Sequence, residues 1–213
     1  MYFSYDENKN KFFNFDVKIQ ILQTKLDLWK ARNLTLFGKA LIIKSLGLSQ
    51  IVYAASNVNV HTEIKHTIKS KLFKFLWNNK KDKIKRESMY QDYDQGGIRM
   101  TDLDLMIKGL RLAWIPRLLN PDSRNWKLIP DSFFRKLGGL NFLLRCNYDT
   151  KYLDPKLPVF YKDVLIFFSD IKSSYNYAQG QETILFNNKD ILIGGKPLFL
   201  REWFSKGDRK SVV

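Results

Sequence analysis

The chain has 213 residues, enough to bury one or two cores, and its 45% hydrophobic and 15% aromatic content excludes a wholly disordered protein. Its formal net charge of +15 favours a polyanion as partner, although a lysine-rich proteome would produce the same excess. The single cysteine, Cys146, excludes an internal disulfide and favours a reducing compartment.

Two amphipathic helices are predicted near the start of the chain. The first has an apolar stripe at helical spacing, made of Ile19, Leu22, Leu26 and Trp29. Thr35 is the predicted N-cap of the second, which runs from Leu36 to about Leu46 and ends before Gly47.

A third helix and a basic segment follow. The stripe of this helix is Ile64, Ile68, Leu72 and either Phe75 or Leu76. The pair Asn78 and Asn79 predicts its end and an exposed loop. Residues 61–90 carry nine bases and three acids, so they form the electrostatic focus of the chain.

A short hairpin and a fourth helix are predicted next. Extended pieces near Arg86–Tyr90 and residues 98–100 would be turned by residues 94–97. Thr101 with Asp104 predicts a helix start. The inward residues of this helix would be Leu103, Ile107, Leu110 and Trp114, and Pro116 would kink or end it.

In the second half, Asp131 is a predicted cap of a short helix that Gly138 and Gly139 end. Pro158 suits the first turn of a longer helix with Phe160, Val164, Phe167, Ile171 and Tyr175 at helical spacing. A hairpin of residues 184–186 and 190–193 precedes a last helix near residues 198–205.

Residues 26–53, which read LDLWKARNLTLFGKALIIKSLGLSQIVY, resemble the thumb of reverse transcriptases encoded by non-LTR (LINE-type) retrotransposons. That family shows a leucine, then Trp-x-x-Arg-x-Leu-(Ser/Thr)-Leu-x-Gly-(Lys/Arg), then Ile-Lys. The matching positions are Leu26, Trp29, Arg32, Leu34, Thr35, Leu36, Gly38, Lys39, Ile43 and Lys44.

The resemblance extends over residues 15–207. The run from Gly96 to Met100, with Trp114 beyond it, is similar to a Gly-Gly block downstream of the LINE thumb. Residues 184–191 and Trp203 are similar to a later block, although Phe186 stands where the family has Trp.

The resemblance implies a mainly α fold, in which a helical thumb bundle precedes a mostly helical module with one or two short β-hairpins. The expected organisation is a remnant of an upstream region (1–15), thumb helices (16–78), a basic linker with a short hairpin (79–100), a post-polymerase helical module (101–207) and a tail (208–213). The tail, DRKSVV, reads as an in-frame translation of a common sequencing adapter and is interpreted as an artefact, with an ordinary basic tail as the alternative.

The family polymerises DNA with palm carboxylates, typically an Asp-Asp pair with a further Asp, that hold two divalent metal ions. This sequence has no Asp-Asp pair, and turn or capping roles explain the two-residue spacings of Asp92/Asp94 and Asp102/Asp104. We therefore expect no catalytic residue, no metal site and no cofactor in this chain, and no enzyme activity of the chain alone. The two metal ions are expected in the intact polymerase.

Two basic constellations are the candidate nucleic-acid contacts, since Lys and Arg hold phosphates without reading sequence. They comprise Lys30, Arg32, Lys39, Lys44, Lys65, Lys69, Lys71, Lys74, Lys85 and Arg86. The alternative is that these cations merely solvate helix faces. Structural roles are expected for Trp29, in the core or stacked on a base, for Gly38, at a close approach of a helix or nucleic acid, and for Gly96, Gly97 and Trp114.

The expected partners are template RNA, RNA–DNA or DNA duplex, and the remainder of the polymerase chain. No membrane is expected, because no run approaches the ~20 apolar residues of a span. The N-terminus lacks the order of a signal peptide, so we expect an intracellular protein of the nucleus or cytoplasm that is not secreted. A helical interaction module without nucleic acid, and a fragment that is never translated, remain as alternatives.

Overall fold

The computed structural model describes residues 2, 6–122, 125–145, 157–174, 188 and 191–198. Within them the protein is mainly α-helical with one two-stranded antiparallel hairpin, which confirms the predicted fold class. The chain divides into two compact units, Met1–Leu110 and Arg111–Val213. The domain boundaries implied by the family resemblance stay predictions.

In its described part, the first unit contains two long helical rods, three further α-helices and a 3₁₀ turn. Each rod is continuous through a π-helical turn. The first rod is α1 (Glu7–Lys11), π1 (Phe12–Asp16) and α2 (Val17–Lys30). The second rod is α3 (Leu36–Ile42), π2 (Ile43–Leu48) and α4 (Ser49–Asn57). The remaining helices are α5 (Thr62–Leu76), α6 (Arg86–Tyr90), a 3₁₀ turn (Tyr93–Gln95) and α7 (Leu103–Leu112).

The second rod begins as predicted and ends later than predicted. The Thr35 hydroxyl accepts a hydrogen bond from the Gly38 N–H at 3.2 Å, which confirms the N-cap. Gly47 does not end the helix. A Cβ at Gly47 would lie 3.6 Å from Leu26 Cδ2 and 3.8 Å from Leu72 Cδ2, so the glycine sits where the second rod packs against α2 and α5. This packing outweighs the ~1 kcal/mol that glycine costs inside a helix.

The first rod and α5 run in the same direction. The Lys11 ammonium contacts a Glu63 carboxylate oxygen at 3.1 Å, and further along both helices the Lys71 ammonium donates to Gln23 Oε1 at 3.1 Å. The C-terminal ends of α2 and α5 therefore lie at the same end of the unit. Both predicted stripes are buried between them, namely Ile19, Leu22, Leu26, Ile64, Ile68, Leu72, Phe75 and Leu76.

The end of α5 is built by asparagines, as the sequence indicated. Asn78 and Asn79 have φ angles of 53° and 61°, and the Asn79 N–H donates to the Lys74 carbonyl at 2.7 Å. Asparagine tolerates this left-handed backbone better than most residues do. The chain therefore leaves the helix sharply and enters the basic loop.

The predicted strand at Arg86–Tyr90 is wrong, because these residues form the helical turn α6. The chain after α6 does turn back and pack beside this helix, since the N–H of Met100 donates to the Met89 carbonyl at 3.0 Å. The return needs its two glycines. Gly96 has a φ of 79°, and a Cβ at Gly97 would lie 1.9 Å from the Gln91 carbonyl oxygen.

The second unit has a smaller core. Its elements are α8 (Trp114–Leu119), a 3₁₀ turn (Asn125–Lys127), α9 (Leu128–Arg135), α10 (Leu140–Arg145), α11 (Val159–Ser174), β1 (Leu192–Ile193) and β2 (Lys196–Pro197). One cluster of buried apolar residues forms this core, namely Leu118, Phe134, Leu137, Leu143, Leu157 and Leu165. Gly138 and Gly139, with φ of 100° and 93°, follow α9 as predicted.

Two predictions for the second unit are corrected. Asp131 lies inside α9 rather than at its cap, because α9 begins at Leu128. Trp114 begins α8 instead of closing the stripe of the preceding helix. A described hairpin pairs Leu192 with Pro197 around Gly194 and Gly195, and the predicted partner strand, residues 184–186, lies outside the described residues.

Several further predictions fall outside the described residues. They concern Cys146, Tyr175, residues 184–186, residues 199–205 with Trp203, and the tail 208–213.

One helix, Leu36–Asn57, is long and apolar enough to cross a membrane by length and composition alone. The sequence-based statement that no segment approaches such a span is therefore wrong in those terms. Buried residues of this helix, including Ile43, Leu48 and Ile51, form part of the core of the first unit. Helices that form a protein core pass the same test, so the finding is weak support for a membrane span.

The packing of α5 yields a stability prediction. Leu72 is 1% exposed, so we expect Leu72→Ala to lower the free energy of unfolding by about 2–5 kcal/mol. The matched control Leu28→Ala removes the same atoms from a side chain that is 70% exposed, and we expect a change within about 0.5 kcal/mol. Urea unfolding followed by circular dichroism measures both. Equal losses of stability would contradict the described core.

Candidate nucleic-acid interface

A buried lysine joins the start of the second rod to the end of α5. Lys39 is buried in α3, and its ammonium donates to the Leu76 carbonyl at 3.2 Å and to Asn78 Oδ1 at 2.8 Å. A cation is favourable at this place, because the last carbonyls of a helix have no partner within the helix. Burial lowers the pKa of the Lys39 ammonium from its ordinary value.

Lys39 therefore has a structural role in this fold. Its burial and its two hydrogen bonds direct the ammonium into the protein, so the geometry does not support the predicted phosphate contact. The sequence match could not reveal that Lys39 is buried. A lysine next to an apolar stripe can direct its ammonium either toward solvent or toward the protein interior.

Several segments of the first unit meet at the end that Lys39 holds together. They are the C-terminus of α2, the turn into α3, the C-terminus of α5, and the basic loop with the start of α6. The exposed or half-buried cations on these segments are called the bundle-end surface. They are Lys30, Arg32, Lys74, Lys80, Lys81, Lys83, Lys85 and Arg86.

Aromatic rings hold the two arginines of the bundle-end surface. The Arg32 guanidinium carbon lies 4.2 Å from the ring centroid of Trp29, which packs against the core of the first unit. The Arg86 guanidinium carbon lies 4.2 Å from the ring centroid of Phe73, and its Nε contacts an Asp82 carboxylate oxygen at 2.7 Å. Stacking reduces the freedom of a guanidinium while leaving N–H groups at its edge for an acceptor. Trp29 therefore packs against the core and at the same time holds the Arg32 guanidinium on its ring.

Three other predicted nucleic-acid contacts, Lys65, Lys69 and Lys71, lie outside the bundle-end surface and bind side chains of the protein. Lys65 and Lys69 pair with Asp104, at 3.7 Å for Lys65. Burial acts to raise the pKa of Asp104, but the hydrogen bond and charge of Lys69, aided by Lys65, outweigh it and lower that pKa. Lys71 donates to Gln23.

The cations of α5 also do not share one face. At 100° per residue, Lys65 and Lys69 flank one edge of the buried stripe, whereas Lys71 and Lys74 flank the other. Lys44 is exposed in π2, on the second rod. The ammonium groups of Lys30, Lys44, Lys74 and Lys85 form no hydrogen bond or ion pair with the described part of the chain.

Gly38 has no close helix neighbour among the described residues. A Cβ there would lie 3.5 Å from Thr35 Oγ1 and 3.7 Å from the Leu34 side chain, which are ordinary contacts within its own turn. The predicted close approach of another helix is therefore not found in the part that is described. The prediction of a nucleic-acid approach at Gly38 stays open.

Sequence reasoning missed Arg111, which is fully buried in the second unit. Its guanidinium carbon lies 4.3 Å from the ring centroid of Phe160. Burial lowers the pKa of Arg111 to about 10, and the negative charge of Asp163 acts against this shift. The signal was available, since Arg111 continues the stripe of Leu103 and Ile107 at a spacing of four.

Within the described ranges, no group of three or more His, Cys, Asp or Glu side chains could hold a metal ion.

Comparison with known proteins gives one distant relative of relevance. The chain is 27% identical over 180 residues to a Xenopus laevis protein described as "Transposon TX1 uncharacterized 149 kDa protein". The match covers 81% of this chain and 14% of that protein. No protein-family model and no solved structure matches the chain. The relative supports an origin in a retrotransposon, in agreement with the resemblance seen in the sequence.

The role of Lys39 can be tested by removing its donor. We expect Lys39→Met to lower the free energy of unfolding by about 1–3 kcal/mol, because the Leu76 carbonyl and Asn78 lose their buried partner. Lys44→Met makes the same change at an exposed position, and we expect an effect within about 0.5 kcal/mol. Urea unfolding of both variants is the measurement. A Lys39→Met protein as stable as the unaltered chain would refute the structural role.

Proposed function

We propose that this chain is a nucleic-acid-gripping segment of a retrotransposon RNA-directed DNA polymerase, corresponding to the thumb and the region after it. It holds template RNA and RNA–DNA or DNA duplex through their phosphates. The bundle-end surface carries this proposal, since eight cations lie on segments that meet at one end of the first unit. Similarity to a transposon protein supports the setting.

The lysines and arginines of the bundle-end surface are suited to binding nucleic acid independently of its base sequence. A polymerase must keep a duplex whose sequence changes at every step, so phosphate contacts are required rather than base contacts. Lys30, Lys74 and Lys85 offer mobile point charges, whereas Arg32 and Arg86 offer planar groups held on aromatic rings. Such a surface binds in a strongly salt-dependent manner, because counterions leave the nucleic acid on binding.

The chemistry of polymerisation belongs to another part of the polymerase in this proposal. Palm carboxylates with two divalent metal ions would perform it, and this segment would position the substrate duplex for them. We infer that the remainder of the polymerase chain is the protein partner and that the complex acts inside the cell, in the nucleus or the cytoplasm.

A protein-contact role has one observation in its favour. Phe37, Leu41 and Tyr53 are large apolar side chains that remain exposed along the second rod. Exposed apolar side chains on a helix surface favour a protein neighbour. The rest of the polymerase would supply it, or a different protein if the chain is a helical interaction module.

A charge-removal experiment tests the grip. We expect Lys30→Gln with Lys74→Gln to weaken binding to a DNA duplex and to flatten its dependence on salt, by about 0.9 in log–log slope for each phosphate that is no longer neutralised. The matched control is Lys9→Gln with Lys18→Gln, which removes the same charge from positions nearer the start of the first rod. Fluorescence anisotropy over a salt series is the measurement.

The two double variants separate the alternatives. Equal weakening of binding in both would mean that only net charge matters, which contradicts a localised grip. No binding of the unaltered chain at low salt, or binding that does not respond to salt, would favour the interaction module.

A further inference from the structure

A pocket lies in the second unit, and none of its lining residues is among the nucleic-acid contacts discussed so far. Its volume is about 430 Å³, within the range of about 300–1,000 Å³ usual for small-molecule sites. Its lining combines two indoles, two cations, an amide and a carboxylate, contributed by Trp114, Arg117, Asn120, Asp122, Trp126 and Lys127.

The two indoles form a corner. The rings of Trp114 and Trp126 are nearly perpendicular, at 83°, with centroids 5.9 Å apart. The Trp114 ring also packs against the ring of Phe160, at 5.3 Å and 88°. Trp126 is 37% exposed. A flat ligand entering the pocket therefore meets two aromatic rings.

Cations and acceptors are placed around this corner. The Arg117 guanidinium carbon lies 5.2 Å from the centroid of Trp114, and Lys127 Nζ lies 5.9 Å from that of Trp126. Lys127 also donates to the Asn120 carbonyl, which holds the 3₁₀ turn of Trp126 against the loop after α8. Asn120 accepts from the Asp122 N–H at 3.1 Å and donates to its carboxylate at 3.3 Å, so both side chains are positioned by one turn.

We propose that this pocket binds an unpaired nucleotide of a single-stranded nucleic acid. The base stacks on indole, as bases do on aromatic side chains in single-strand binders. Arg117 and Lys127 contact the adjoining phosphates, and the Asp122 carboxylate accepts N–H groups from the edge of the base.

The mixture of charges is what selects this ligand class. A site for phosphate alone gains nothing from a carboxylate beside it, since like charges repel. A site for a cation gains nothing from Arg117 and Lys127. A nucleotide presents donors on its base and negative oxygens on its backbone, so it matches both halves of the lining. A paired base is stacked on both faces and cannot enter, so the pocket selects single strands over duplex.

This site is separate from the bundle-end surface and goes beyond the proposed grip. It would hold a template or displaced strand where it is unpaired, whereas the first unit would hold duplex. Either site can fail while the other remains.

The test uses the full chain and short single strands that carry 2-aminopurine, whose fluorescence falls when the base stacks. We expect quenching with the unaltered protein. We expect Trp126→Ala to weaken single-strand binding roughly 5- to 150-fold, the range for removal of one stacking partner. Trp126→Phe keeps an aromatic face and should recover most of the affinity. Arg117→Gln should lower the salt slope by about 0.7, the value for one phosphate of a single strand.

A control variant, a folding check and a duplex-binding assay accompany this test. Leu128→Ala alters a neighbouring exposed side chain outside the lining and should bind as the unaltered chain does. Circular dichroism confirms that each variant is folded, and blunt duplex binding should be unchanged in all of them. Single-strand binding without quenching, full affinity in Trp126→Ala, or equal weakening of duplex and single-strand binding would overturn the proposal. So would binding of an aromatic acidic peptide in place of the oligonucleotide.

Discussion

The buried ammonium of Lys39 makes the interaction on which the end of the first unit that carries the bundle-end surface depends. It bonds the last carbonyl of α5 and the Asn78 side chain, and so joins α3 to the point where α5 gives way to the basic loop. Because the first rod and α5 run in the same direction, the C-terminus of α2 lies at this end as well. A single buried cation thus brings exposed cations from four chain segments together, while its own ammonium is withdrawn from solvent.

The cations of the first unit fall into two groups, those paired within the fold and those of the bundle-end surface. Lys65 and Lys69 are half neutralised by Asp104 on one edge of α5, where they stabilise the start of α7. At the bundle end, arginines rest on aromatic rings and lysines project without partners among the described residues. This arrangement separates cations that stabilise the fold from cations available to a polyanion. In the second unit, aromatic and charged side chains meet again, in the pocket for which we propose an unpaired base.

Periodicity and capping predicted most of the first unit, because those signals depend only on neighbours in sequence. The Thr35 cap and the asparagine end of α5 are examples. The misses depend on contacts between distant segments. Gly47 continues a helix because α2 and α5 pack around it, and Lys39 is buried because α5 ends beside it. The segment Arg86–Tyr90 is helical rather than extended, a choice that its five residues, RESMY, did not decide by themselves. The pocket also escaped prediction, since it needs Trp114 and Trp126 to meet across a turn.

The most direct measurement is chemical footprinting of lysines on the full chain, with and without an RNA–DNA hybrid. Acetylation followed by mass spectrometry reports the exposure of each ammonium separately. We expect strong protection by the hybrid at Lys30, Lys74 and Lys85, and little change at Lys9 and Lys18. We also expect slow modification of the buried Lys39 in both states. Uniform protection of all lysines, or protection confined to Lys65 and Lys69, would contradict the claim that the bundle end holds the phosphates.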